Sequence, residues 1–330
     1  MGRSLEKSKS ERSVMRPPDM QTIRTAHERI RPYIHRTPVF TSATLDRMSG
    51  GSLFFKCENL QKVGAFKARG ASNAVFGLDE ETASKGVVTH SSGNHAAALA
   101  YAAGIRGIPA YIVMPSSAPP VKKAAVEGYG GRITECEPTL TSREETAARI
   151  IEETGATLIH PFDDYRIIAG QATASLELLD QAGPLDLLLA PVGGGGLVSG
   201  AALTVHHLGL PTRVIACEPR EADDAYRGFR SGEMVRNDSS DTLADGLRTS
   251  LSAKTFDIIR HHVHDIVLVS EEEIVSAMRT VWERMKIIIE PSSAVPVAAA
   301  LYEKVPAEGA RIGIILSGGN LDLTRLPFRS

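Results

Sequence analysis

Four short stretches of this chain carry groups that could hold an anion or exchange a proton. Val192-Gly193-Gly194-Gly195-Gly196-Leu197 follows an apolar run and opens a helical one. Four glycines let backbone N–H groups come close to an anion, and a helix N-terminus adds about half a positive charge. Phosphate is the natural occupant. The run is neither GxGxxG nor GxxxxGK[ST], so dinucleotide and P-loop NTPase readings are weak. A merely flexible turn is the plain alternative, but glycine costs roughly 1 kcal/mol each over alanine.

His90-Ser91-Ser92-Gly93-Asn94-His95 stands at a second strand-to-helix junction. Ser and Asn cap helices well, so a capping turn explains it. Its hydroxyls and amides also suit a carboxylate, as of an amino acid. Gly64-Ala65-Phe66-Lys67-Ala68-Arg69-Gly70 presents a lysine after an aromatic residue. Alone, Lys67 reads as a solvated side chain. Leu316-Ser317-Gly318-Gly319-Asn320 lies on a strand end. Ligands of parallel sheets sit beyond the carboxyl ends of strands. Three of these four motifs occupy such ends, which points to one shared site. A fifth cluster, Glu218-Pro219-Arg220-Glu221-Ala222-Asp223-Asp224, also follows a strand. It reads as a solvated acidic loop or as a site for a hard cation such as Mg2+, Mn2+ or Ca2+. The ten histidines form no HExxH set. His206-His207 and His261-His262-Val263-His264 read as exposed helix surface.

The elements that must position these motifs alternate. Ile23, Ala26, Ile30 and Tyr33 recur at helical spacing from Met20, and Pro38 ends that run. Ser52–Lys56 reads as a strand. Strands at 86–90, 109–114, 132–134 and 157–159 are separated by helices at 96–103, 120–129 and 142–154. Strands at 185–191, 213–217 and 312–316 follow. This rhythm predicts an α/β fold with parallel sheets covered by helices on both faces. Residues 1–20 are expected to form a disordered arm. Residues 21–80 and 161–330 are expected to form a large domain, with 81–160 inserted in it as a small one.

Bulk properties narrow the function. The 330 residues are 42% hydrophobic and 23% charged, with a formal net charge of −2. No basic excess favours nucleic acid or anionic lipid. No apolar run reaches the ~18 residues of a membrane span. The three cysteines, Cys57, Cys136 and Cys217, lie far apart and read as reduced thiols in a cytoplasmic protein.

Taken together, these motifs resemble the serine racemase and serine/threonine dehydratase family of fold-type II pyridoxal 5′-phosphate (PLP) enzymes, the racemase branch above all. The likeness runs from about Ile23 to Asp322. It also includes Thr242-Leu243-Ala244-Asp245-Gly246 and Trp282-Glu283-Arg284-Met285-Lys286. It implies a tryptophan synthase β-like fold, with two open twisted sheet domains and helices on both faces. Lys67 would hold PLP as a Schiff base and act as base on one face of the substrate Cα. Phe66 would pack against the pyridine ring, and Asn94 would bond its phenolic oxygen. Gly193, Gly194, Gly195, Gly196 and Leu197 would cradle the phosphate, and Ser317 would face the ring nitrogen. Ser91, Ser92, Gly93 and His95 would line the substrate side. Glu218, Asp224 and the Ala222 carbonyl would bind a divalent cation.

The resemblance also implies an activity. Racemisation needs an acid–base group on each face of Cα, and Ser92 would supply the second. Serine racemisation with serine/threonine dehydration is the expected activity. A 3-hydroxyaspartate or L-threonine dehydratase is the alternative, and Arg143 is a candidate cation for a second substrate carboxylate. Phe162-Asp163-Asp164, after His160-Pro161, is the dehydratase-like departure. A homodimer is expected. In animal racemases a Gln helps bind ATP at the dimer interface. Ala97 stands there in this chain, while Lys286, Asn320 and Tyr129 match, so ATP is a candidate effector.

Overall fold

The computed structural model describes residues 16–237 and 240–328. The chain opens on α1 (Met20–Ile30), β1 (Val39–Phe40), α2 (Ala43–Ser49) and β2 (Ser52–Cys57). Two 3-10 turns lead into α3 (Lys67–Phe76) and α4 (Glu80–Ser84). Next come β3 (Val87–His90), α5 (Asn94–Arg106), β4 (Ala110–Pro115), α6 (Pro120–Gly128), β5 (Arg132–Cys136), α7 (Leu140–Thr154) and β6 (Thr157–Leu158). The long α8 (Tyr165–Ala182) leads to β7 (Leu187–Pro191), α9 (Gly196–His207), β8 (Arg213–Pro219) and α10 (Asp224–Ser231). The described chain closes with α11 (Ala253–His262), β9 (Asp265–Val269), α12 (Glu271–Met285), α13 (Pro291–Leu301) and β10 (Arg311–Leu316).

The strands form two sheets. One is ordered β1-β2-β10-β7-β8-β9 and the other β5-β4-β3-β6. All pairings are parallel except β1 with β2. Parallel strands need covered faces, and alternation along each strand supplies both cores. Leu187 and Leu189 pack with α13 in one cluster, while Leu188 and Ala190 pack with α9 in another. In the small sheet Ile112 and Met114 face α5, and Val88 and Val113 face α7. The α/β class with helices on both faces is therefore as expected, with one antiparallel edge strand added.

One close approach positions the helix that carries Lys67. Helices α3 and α8 touch at glycines: a Cβ on Gly170 would lie 2.6 Å from the Gly70 Cα. At the N-terminus, Asp19 caps α1 by accepting from the Thr22 N–H at 2.7 Å. The Pro18 carbonyl accepts from His207 Nε2 at 3.0 Å. The expected arm otherwise lies, over residues 1–15, outside the described residues. Cys57, Cys136 and Cys217 are unpaired. Among the described residues no helix is long and apolar enough to cross a membrane.

Candidate active site

Lys67 is the first residue of α3, after the two 3-10 turns. Its helix is held by buried charges. Arg69 bonds both Glu58 carboxylate oxygens at 2.7 and 2.8 Å, and both Glu177 oxygens at 2.9 and 2.8 Å. Lys56 completes the set, 2.7 Å from Glu177. Removing one partner from such a buried pair costs about 3–5 kcal/mol, so α3 is fixed against β2 and α8. Lys67 is half-buried, and its Nζ donates to the Pro161 carbonyl at 2.9 Å. Desolvation by burial lowers its pKa to about 8, against an opposing pull from the Glu290 carboxylate. A sizeable fraction of the amine is then neutral near pH 8.

The loop after β10 is stitched to the lysine turn. Phe66 N–H donates to the Ser317 carbonyl at 3.0 Å, and Gly319 N–H to the Gly64 carbonyl at 2.9 Å. Ser317 is buried, its Oγ 3.1 Å from Ser293 Oγ. Asn320 Nδ2 donates to Asn94 Oδ1 at 3.0 Å. Asn94 Nδ2 in turn donates to both oxygens of Glu290, at 3.1 and 3.2 Å. Glu290 is 3% exposed, and burial raises its pKa to about 7, with Asp245 adding to the rise. The lysine turn, the Asn94 helix start and the Ser317 strand end therefore meet.

The Ser91–His95 loop opens α5, whose Gly93 N-cap makes no side-chain capping bond. Apart from its chain neighbours, nothing lies within 4 Å of a Cβ built on Gly93. His95 is buried, with Nε2 donating to the Ile159 carbonyl at 3.0 Å. Burial first, then the Lys67 charge, lowers its pKa to about 3, so it stays neutral. His95, expected at the substrate side, keeps a buried Nδ1 without a hydrogen-bond partner among the described residues.

The glycine turn leaves β7 and starts α9. Gly195 has φ +85°, where L side chains are strained. A Cβ on Gly194 would lie 2.2 Å from the Phe162 ring. The buried first turn of α9, Gly196–Val198, has no side-chain cap. Buried, uncapped amides at a helix start call for an anion.

A family model for "Pyridoxal-phosphate dependent enzyme" matches residues 30–318. A beta-hydroxyaspartate dehydratase from Paracoccus denitrificans is 52% identical over 311 residues, 94% of this chain and 99% of that protein. A serine racemase from Dictyostelium discoideum is 51% identical over 311 residues, covering 93% and 96%. The solved structure of maize serine racemase aligns with TM-score 0.92 at 48% identity, over 94% and 95% of the two chains. The chain belongs to the pyridoxal-phosphate-dependent enzymes. Its residues fit that cofactor: the uncapped glycine turn suits the phosphate, and Lys67, its pKa depressed, bonds the Pro161 carbonyl next to Phe162, whose ring lies against that turn. Among the described residues no carboxylate bonds Ser317, so a pyridine nitrogen there would meet a neutral hydroxyl.

The cation cluster is split between β8, a short turn and α10. Both oxygens of Glu218 accept backbone N–H groups, from Ala225 at 3.0 Å and Tyr226 at 2.8 Å. Burial raises the Glu218 pKa to about 9 and that of Asp224 in the same direction. Asp224 Oδ2 is buried without a partner, and Ala222 is fully buried. Among the described residues no three His, Cys, Asp or Glu side chains group as metal ligands, so the backbone would have to contribute.

Two features escape the sequence reading. Glu290, bonded to Asn94, is one; its only local signal is the Pro291 that starts α13. The Ile159–Asp164 segment is the other, noted in the sequence only as a departure. His206, His207, His261 and His264 are exposed, as expected; His262 is half-buried, its ring 4.3 Å from that of His206 across α9 and α11.

Proposed function

We propose that this enzyme interconverts L- and D-serine and converts L-serine to pyruvate and ammonia, with threonine as a second elimination substrate. Bound PLP supplies the electron sink that acidifies the substrate Cα–H. The Lys67 amine, neutral in part near pH 8, takes or returns that proton on one face. The Ser92 hydroxyl does so on the other. One observation carries the reading: His95, three residues past Ser92, bonds the Ile159 carbonyl at 3.0 Å and the Lys67 amine bonds the Pro161 carbonyl at 2.9 Å, so the hydroxyl loop and the amine meet the same short segment. Gly193, Gly194, Gly195, Gly196 and Leu197 bind the phosphate through backbone amides. Asn94, oriented by Glu290 and Asn320, would bond the ring oxygen, Phe66 would pack on the ring and Ser317 would meet the ring nitrogen. Ser91, Ser92, Gly93 and the His95 amide hold the substrate carboxylate. Incubation with L-serine, followed by chiral analysis and pyruvate assay, tests both activities; formation of neither D-serine nor pyruvate would overturn the reading.

A 3-hydroxyaspartate dehydratase is the second reading, favoured by the 52% identical Paracoccus denitrificans relative and by Arg143. Arg143 is half-buried, its Nε lacks a hydrogen-bond partner, and its charge reaches His90 beside the Ser91–Ser92 loop. An unpaired guanidinium there suits a second carboxylate.

We assign a divalent cation to Glu218, Asp224 and the Ala222 carbonyl, on the strength of the orphaned Asp224 oxygen. A cleft of about 350 Å³, lined in part by Leu60, Lys286, Ile288 and Asn320, is the candidate ATP effector site. Leu60 and Ile288 expose 43% and 49% of their surface, which a homodimer partner would cover. Residues 21–80 with 161–330, and 81–160, are the large and small domains in this reading. The unpaired thiols suit the cytoplasm.

A further inference from the structure

The segment Ile159–Asp164, between β6 and α8, touches three motifs at once. The Ile159 carbonyl accepts from His95 Nε2 at 3.0 Å, and the Pro161 carbonyl accepts from Lys67 Nζ at 2.9 Å. The Phe162 ring lies directly under the glycine turn, 2.2 Å from where a Cβ on Gly194 would stand. Its far end is anchored: Asp163 holds Lys254 at 3.1 Å, and Asp164 caps α8 by accepting from Arg166 N–H at 2.8 Å.

The shape of the segment depends on its own histidine. His160 Nδ1 accepts from the Asp163 N–H at 2.9 Å and from the Phe162 N–H at 3.3 Å. The ring is also wedged edge-on between His90, at 5.6 Å, and Phe162, at 4.6 Å. A bare Nδ1 requires a neutral ring with its proton on Nε2. Burial and the neighbouring His90 and Lys67 lower the His160 pKa to about 4 despite the opposing Asp163 and Asp164, so that form persists at neutral pH.

We propose that His160 is a positioning residue: through Nδ1 it holds the turn that presents the Pro161 carbonyl to the Lys67 amine and the Phe162 ring to the glycine cradle. It acts through its neighbours. The proposal rests on Lys67 being the cofactor lysine, not on which substrate is turned over.

Asparagine and glutamine separate the two ring nitrogens. Asn Oδ1 sits where Nδ1 sits and accepts backbone amides in the same way. Gln Oε1 reaches the Nε2 position instead. Holoenzyme is resolved of cofactor, retitrated with PLP by absorbance, and reduced with borohydride for peptide mapping. His160→Asn should bind PLP within about threefold of the parent. His160→Gln should bind about tenfold more weakly, the scale of one lost buried hydrogen bond. Equal affinities for the two variants, whether retained or lost, would overturn the proposal. Should His160→Gln fail to fold, His160→Ser against His160→Ala gives the same comparison, since only Ser retains an acceptor; equality again overturns it. A parent label mapping to a lysine other than Lys67 would instead remove the premise, whatever the His160 variants do.

Discussion

Asn94 donates to both carboxylate oxygens of Glu290, at 3.1 and 3.2 Å. This contact places a buried carboxylate behind the residue proposed to bond the ring oxygen. Glu290 also attracts the Lys67 amine electrostatically. One acidic side chain thus orients the Asn94 amide and opposes the fall in the Lys67 pKa.

Glu290 should make stability depend on pH. Burial raises its pKa from 4.5 to about 7 in the fold. The folded chain then binds more protons than the unfolded chain between those values, so stability falls as pH rises through that window. The upper bound is about 3 kcal/mol. Glu290→Gln keeps an acceptor for Asn94 but cannot ionise. Melting of the cofactor-free protein at pH 5 and 7.5 should show the variant gaining on the parent at the higher pH. A constant difference would mean that Glu290 is ionised throughout.

Ser92→Ala should separate the two activities. A positioned acid–base group contributes about 10²–10⁴-fold. Racemisation needs both faces of Cα and should fall by that order, while elimination of L-serine, with Lys67 as base, should survive better. Equal loss of both would defeat the two-base scheme.

The strand ends are legible in the sequence because parallel strands buried on both faces read as unbroken apolar runs: Leu187–Pro191 and Arg311–Leu316 show this. The helix carrying Lys67 is not. Its sequence KARGASNAVF buries Arg69, Ser72 and Asn73 and has no clean apolar stripe. Arg69 is paid for by Glu58 and Glu177, the latter 108 residues away. Glu290 meets Asn94 across 196 residues. Contacts that distant leave no local pattern, so the motifs are readable while the groups that orient them are not.

Occupancy of the Glu218–Asp224 site is testable by melting. Metal binding only the folded state stabilises by mass action, about 2.7 kcal/mol at a hundredfold excess over Kd. Mg2+ or Mn2+ should raise the melting temperature of the chelator-treated parent and leave Asp224→Asn unchanged. The same rise in both would move the cation elsewhere.

Arg143 separates the two substrate readings. Its Nε is buried without a partner, a cost that a bound carboxylate would remove. A charge-assisted hydrogen bond contributes about 1.5–3 kcal/mol, or roughly 10–100-fold in kcat/KM. Arg143→Gln should therefore lower kcat/KM for 3-hydroxyaspartate by that factor. Serine has no second carboxylate, so its kcat/KM should change little. Both diastereomers of hydroxyaspartate, with serine and threonine, should be compared in parent and variant. A parent with no turnover of either diastereomer leaves serine as the substrate. Equal losses on serine and hydroxyaspartate would assign Arg143 to the fold of the Ser91–Ser92 loop, because only a contact made by one substrate can change the ratio between them.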